Sequence, residues 1–111
     1  MKILFTCLIL ILLILPGCQK QNVQVTISYD KIPMDVFPYS SYGEIAKIYY
    51  TVGSQSFEKT VQNHRSIQVV VPEKTLMRAT YEKYVYDPSG SKSTHEDALY
   101  TADPKNPNWK F

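Results

Sequence analysis

Residues 23–29 read Val-Gln-Val-Thr-Ile-Ser-Tyr, a strict alternation of apolar and polar side chains. Successive side chains of an extended strand point to opposite faces, so Val23, Val25, Ile27 and Tyr29 share one face and Gln24, Thr26 and Ser28 the other. A half-buried strand needs further strands to cover its apolar face, and the rest of the chain offers them. In residues 44–52 (EIAKIYYTV), Ala46, Ile48, Tyr50 and Val52 fall together, and Gly53-Ser54-Gln55 marks a tight turn. Residues 56–61 (SFEKTV) return with Phe57 and Val61 inward, so 44–61 reads as a hairpin. Residues 65–71 (RSIQVVV) collect Ile67, Val69 and Val71 before Pro72 closes the run. Residues 76–86 (LMRATYEKYVY) fit two faces at once, Met77, Ala79, Tyr81 and Val85 against Tyr84 and Tyr86, which a bulge or a two-sided strand reconciles. Asp87-Pro88-Ser89-Gly90 suits a type I turn, and residues 98–102 offer a last short strand.

Six candidate strands separated by turn signals, without helical periodicity, predict an all-β fold: a small antiparallel β-sandwich similar in architecture to immunoglobulin and fibronectin type III domains. A small closed β-barrel is the alternative. The sequence has no cysteine pair around a core tryptophan, and its one tryptophan, Trp109, lies in the tail. The sandwich is expected over residues 23–102, followed by a proline-rich aromatic tail at 103–111. With 111 residues there is room for one small domain, which excludes a two-domain cofactor enzyme. A net charge of +2 is too small to argue for a nucleic-acid partner.

Ahead of the strands, Lys2 is followed by a predominantly apolar run of 13 residues, Ile3 to Leu15, and then Pro16-Gly17-Cys18. This is the charge, apolar run and small-residue pattern of a secretory signal. As a helix the run reaches about 20 Å, short of a hydrocarbon core of about 30 Å. Leu15, Gly17 and Cys18 resemble the lipobox of bacterial lipoproteins, with Pro16 departing from the usual small or aliphatic residue at its position. The resemblance covers residues 1–18. It implies removal of 1–17 as a signal peptide, a diacylglycerol and an N-linked acyl chain such as palmitate on Cys18, and a lipid anchor in the cell envelope. By resemblance to enterobacterial lipoprotein sorting, a residue other than aspartate after the cysteine, here Gln19, implies the outer membrane over the inner where a cell has one. Two or three acyl chains hold a protein durably where one does not. Residues 18–22 then form a short tether, which keeps the domain close to its membrane.

No catalytic constellation is legible. His64 sits in a polar turn and His95-Glu96-Asp97 in a polar stretch, without ligand spacing, so no enzyme activity, metal or cofactor is expected beyond the covalent lipid. Tyrosine stands out, with nine copies. It offers large contact area, few rotatable bonds and a polar tip. Most are expected to pack on sheet faces; Tyr49, Tyr84 and Tyr86, if outward, form an aromatic face for a partner or a glycan. Residues 31–43 (KIPMDVFPYSSYG) are too apolar for a solvated loop. We read them as a proline-interrupted edge strand that buries these groups, with a presented aromatic loop as the alternative. Phe37, Tyr39, Tyr42 and Trp109 are the candidate partner-binding residues, the tail either packing back or adding a strand to a partner. Lys47, Lys59 and Lys83 are candidate charges guarding exposed sheet edges. The functional expectation is a non-enzymatic envelope lipoprotein that binds a neighbouring envelope protein or cell-wall component. The alternative is a surface inhibitor or exclusion factor against lysozyme, toxin or phage.

Overall fold

The computed structural model describes residues 21–111, which form eight strands and no helix. In chain order these are β1 (Asn22–Tyr29), β2 (Tyr39–Tyr42), β3 (Ile45–Val52), β4 (Gln55–Gln62), β5 (Arg65–Pro72), β6 (Leu76–Asp87), β7 (Gly90–Thr101) and β8 (Asn108–Lys110). They build the predicted β-sandwich; the sheets do not close into a barrel. One sheet has the order β5-β1-β8. The other runs β4-β3-β6-β7, with β2 lying beyond β3 on the same side of β6.

The core follows from the alternation. Val23, Val25, Ile27 and Tyr29 of β1 are buried, as are Ala46, Ile48 and Tyr50 of β3 and Met77, Ala79 and Tyr81 of β6. Burying an aliphatic side chain of this size contributes roughly 1.5–3 kcal/mol against leaving it in water. The β3–β4 hairpin turns through Gly53, whose φ of 62° suits glycine in a two-residue turn. Asn63 and His64 carry the chain from β4 in one sheet to β5 in the other.

The ambiguous period of residues 76–86 resolves as a two-sided strand. Pairing of β6 with β7 is unbroken from Leu76 opposite Thr101 to Asp87 opposite Gly90. The irregularity lies on the other neighbour, where five steps from Tyr42 to Lys47 face three from Lys83 to Thr80. Gly43 and Glu44 are the two extra residues. The Gly43 amide donates to the Glu82 carbonyl at 2.9 Å, and the Glu44 carbonyl accepts from the Asn63 amide at 2.7 Å.

Two segments differ from expectation. β7 has 12 residues rather than a short strand at 98–102, because its first six, Gly90 to His95, are exposed, leaving no apolar period to read. The tail packs back onto the domain as β8, parallel to β1 and so an exception to the antiparallel plan. Thr26 donates to the Pro107 carbonyl at 2.9 Å and Phe111 to the Ser28 carbonyl at 3.0 Å. The folded unit therefore extends past 102 to the last residues.

This topology has two poles. Gln21 and Glu73 are joined at one end, where the Glu73 amide donates to the Gln21 carbonyl at 2.7 Å. From there β6 runs 12 residues, roughly 35–40 Å of extended chain, to the Asp87–Gly90 turn at the other end. The three-stranded sheet stops at Tyr29, whose ring lies 5.4 Å from that of Tyr81. Beyond that level β2, β6 and β7 continue together as an extension.

Candidate functional site

The extension carries the segment 31–38. Its base is clamped by Asn63, whose side chain accepts from the Lys31 amide at 2.8 Å and donates to the Lys31 carbonyl at 3.0 Å. The Met34 amide reaches the Ser40 carbonyl at 3.0 Å. Between these bonds the apolar side chains face water: Ile32 is 72% exposed, Val36 68%, Phe37 52% and Met34 48%. The expectation of a buried edge strand is corrected here. Strand pairing begins only at Tyr39, since Pro33 and Pro38 lack amide hydrogens, and β1 has already ended, so no strand of the opposite sheet continues to cover the segment. The segment is a presented apolar loop.

Phe37 packs edge-on against Tyr39 at 5.7 Å, and Tyr39 stacks on Tyr86 of β6 at 4.9 Å. The fold thus brings Phe37 and Tyr39 together and separates the other two candidates. Tyr42 is half-buried, 6.4 Å from Tyr81, with the Lys31 ammonium 5.9 Å and that of Lys83 6.0 Å from its ring centroid. It supports the loop's base. Trp109 is a correction: it is 6% exposed, stacked on Tyr100 at 5.3 Å and packed against Phe111 at 5.0 Å. Two aromatic residues in a terminal segment bury more area against the sheet edge than any solvated arrangement leaves dry, which draws the tail inward. Ile32, Met34, Val36 and Tyr86 complete the exposed patch, and the first three were legible as members of the apolar run.

A second feature lies on the outer face of the larger sheet. Ile45, Lys47 and Tyr49 of β3, Glu82 and Tyr84 of β6 and His95 of β7 line an open depression of about 470 Å³ beside the Gly43–Glu44 insertion. The Tyr84 hydroxyl donates to the Glu82 carboxylate, which holds the phenol above its ordinary pKa. The other Glu82 oxygen is 3.8 Å from His95 Nε2. At the far end the Arg78 guanidinium sits 5.1 Å from the Tyr49 ring centroid and 3.7 Å from Asp97. Tyr49, Tyr84 and Tyr86 are all half-exposed. Glu82 and His95 were missed as partners because they stand thirteen positions apart and meet only through the β6–β7 register.

His64 is not simply solvated. Its Nδ1 is 2.7 Å from Asp30 Oδ1, and Lys110 Nζ lies 3.7 Å from the other oxygen. The bond with His64, and then the Lys110 charge, hold the Asp30 carboxyl below the usual carboxylate value. An aspartate orienting a histidine is half of a nucleophilic relay, but among the described residues no hydrogen bond links His64 to a serine or threonine hydroxyl. Among the described residues no three His, Cys, Asp or Glu side chains converge on a metal position. Of the proposed edge guards, Lys59 lies on the edge strand β4, whereas Lys47 and Lys83 are on strands paired from both sides.

The chain matches no family model, no curated protein and no solved structure. Among the described residues no helix is long and apolar enough to cross a membrane. Cys18 and the signal-like segment 1–17 lie outside the described residues.

Proposed function

We propose that the chain is a bacterial envelope lipoprotein, anchored by acyl chains on Cys18, that binds a protein partner through the loop at 31–39. The observation that carries this reading is polarity: Gln21 and the exposed patch of Ile32, Met34, Val36, Phe37 and Tyr39 sit at opposite ends of the domain. A loop meant for the lipid surface that holds the anchor would lie at the anchor's own end. Held at the far end of β6, the patch faces away from that membrane, where an apolar cluster braced by aromatic stacking suits the recessed surface of another protein.

The loop's bracing also favours, as a second reading, an inhibitor or exclusion factor, since a protruding segment tied at Asn63 and Ser40 inserts into a cleft with little ordering cost. Both readings share one test. A photoreactive residue replacing Phe37 in the full chain is activated in living cells, beside Cys18→Ala. One dominant protein adduct at Phe37, together with acyl mass on Cys18 and release from membranes by Cys18→Ala, supports the proposal. Adducts to phospholipid, or an unacylated protein, overturn it. The adduct's identity, an envelope component or a foreign protein, separates the two readings.

A further inference from the structure

We propose that the depression between Tyr49 and Tyr84 is a binding groove for a glycan chain. The floor of the groove is β6, which is paired with β7 on one side and, on the other, with β3 over Met77–Thr80 and β2 over Lys83–Tyr86, the Glu82 carbonyl between them accepting from the Gly43 amide. Its backbone donors and acceptors are therefore consumed, and an extended peptide has no free edge there on which to add as a strand. Recognition at this place must run through side chains.

Those side chains are arranged as two ring platforms with polar groups between them. The Tyr49 ring is held by the guanidinium of Arg78, 5.1 Å from its centroid, and Tyr84 is held through its hydroxyl by Glu82. Fixed rings offer their faces to the C–H faces of sugar rings at little ordering cost. Between the rings Lys47 supplies donors, Glu82 accepts and His95 does either, the complement that vicinal sugar hydroxyls require. The carboxylates of Glu44 and Glu82 outnumber the one ammonium of Lys47, so the lining has no positive excess to select a phosphate or an anionic lipid headgroup. Ile45 is the one large aliphatic side chain on the lining, too little to seat an apolar protein surface. The concavity has a cause in the chain: the Gly43–Glu44 insertion kinks the edge shared by β2 and β3, and both residues border the groove.

The groove is separate from the loop patch and does not depend on the anchor. Only the source of the glycan, the cell wall, rests on the envelope reading. The test is cosedimentation of the full detergent-extracted chain with two insoluble probes, purified peptidoglycan sacculi and crystalline chitin. Binding to either is expected, with Tyr49→Ala and Tyr84→Ala each weakening it about tenfold, the effect of one lost stacking contact. Glu82→Gln keeps the shape of the side chain and is expected to weaken binding with an unchanged melting temperature. Phe37→Ala is expected to leave glycan binding intact, which separates failure here from failure of the loop. Chitin binding without sacculus binding supports the groove and overturns the cell wall as its source. Binding to neither polymer overturns the proposal. So does binding that survives both tyrosine substitutions, or loss of the Phe37 protein adduct in the tyrosine variants without any glycan bound, which makes the face a protein interface.

Discussion

The hydroxyl of Tyr29 donates to the carbonyl of Gly43 at 2.6 Å, joining the end of β1 in one sheet to the two-residue insertion between β2 and β3 in the other. Tyr29→Phe removes the bond and leaves a carbonyl without that partner, while the ring still fills its place between Tyr81 and Phe111. A loss of about 1–2 kcal/mol in unfolding free energy is expected, read as a lower urea midpoint with an unchanged slope. An unchanged midpoint would show that water replaces the tyrosine at Gly43.

Trp109 behaves as a core residue. Its replacement by alanine takes a side chain 6% exposed out of contact with Tyr100 and Phe111. A cost of roughly 3–5 kcal/mol is expected, enough to consume most of the stability of a domain this small. Denaturant titration measures it directly.

Alkaline stability follows from two of the buried tyrosines. Burial first, and then nearby acidic and phenolic groups, push Tyr29 and Tyr81 from 10.0 up to about 12. A raised pKa means that the folded state keeps protons the unfolded chain releases, so their contribution is complete below pH 10 and is lost as pH rises towards about 12. The melting temperature should fall steeply through that window in the wild type. The fall should be shallower in Tyr29→Phe, once compared with its own value at neutral pH.

Asp30 sets a complementary limit in acid. Its pKa lies below the ordinary 3.8 because His64 bonds to it and Lys110 attracts it. The contribution is present above that ordinary value and disappears as pH falls through the depressed one. Asp30→Asn should melt below the wild type at neutral pH and coincide with it in strong acid. The group is well exposed, so the difference is small and screened by salt.

At the loop, function and stability should separate. Phe37→Ala removes a ring already 52% exposed, and the unfolding free energy should change by no more than about 0.5 kcal/mol. Loss of the partner adduct from a photoreactive residue at Val36, with folding unchanged, is the expected signature.

The sandwich was legible because period-two alternation survives wherever one face is buried, as in Val23 to Tyr29 and Ala46 to Val52. It vanished where burial did. The first half of β7 is exposed on both faces, so nothing in Gly90–His95 announces a strand. The displaced irregularity has a similar cause: an insertion at Gly43–Glu44 alters the pairing of β6 without touching the β6 sequence. Aromatic residues in the loop and the tail could not be assigned to core or surface from composition. The outcome turned on which had a sheet edge to land on, and Trp109 had β1 while Phe37 had none. Glu82 and His95 belong to one groove through a register that no local pattern encodes.

β1, the first strand among the described residues, is the middle strand of its sheet, and its neighbours are residues 65–72 and 108–110. Its two edges therefore wait for chain that arrives long after it. A polypeptide delivered N-terminus first holds this apolar strand open on both sides until β5 arrives, and on one side until residues 107–111 follow. The sheet closes only once that strip is in place, and a chain that lacks residues 107–111 leaves one edge of β1 unsealed.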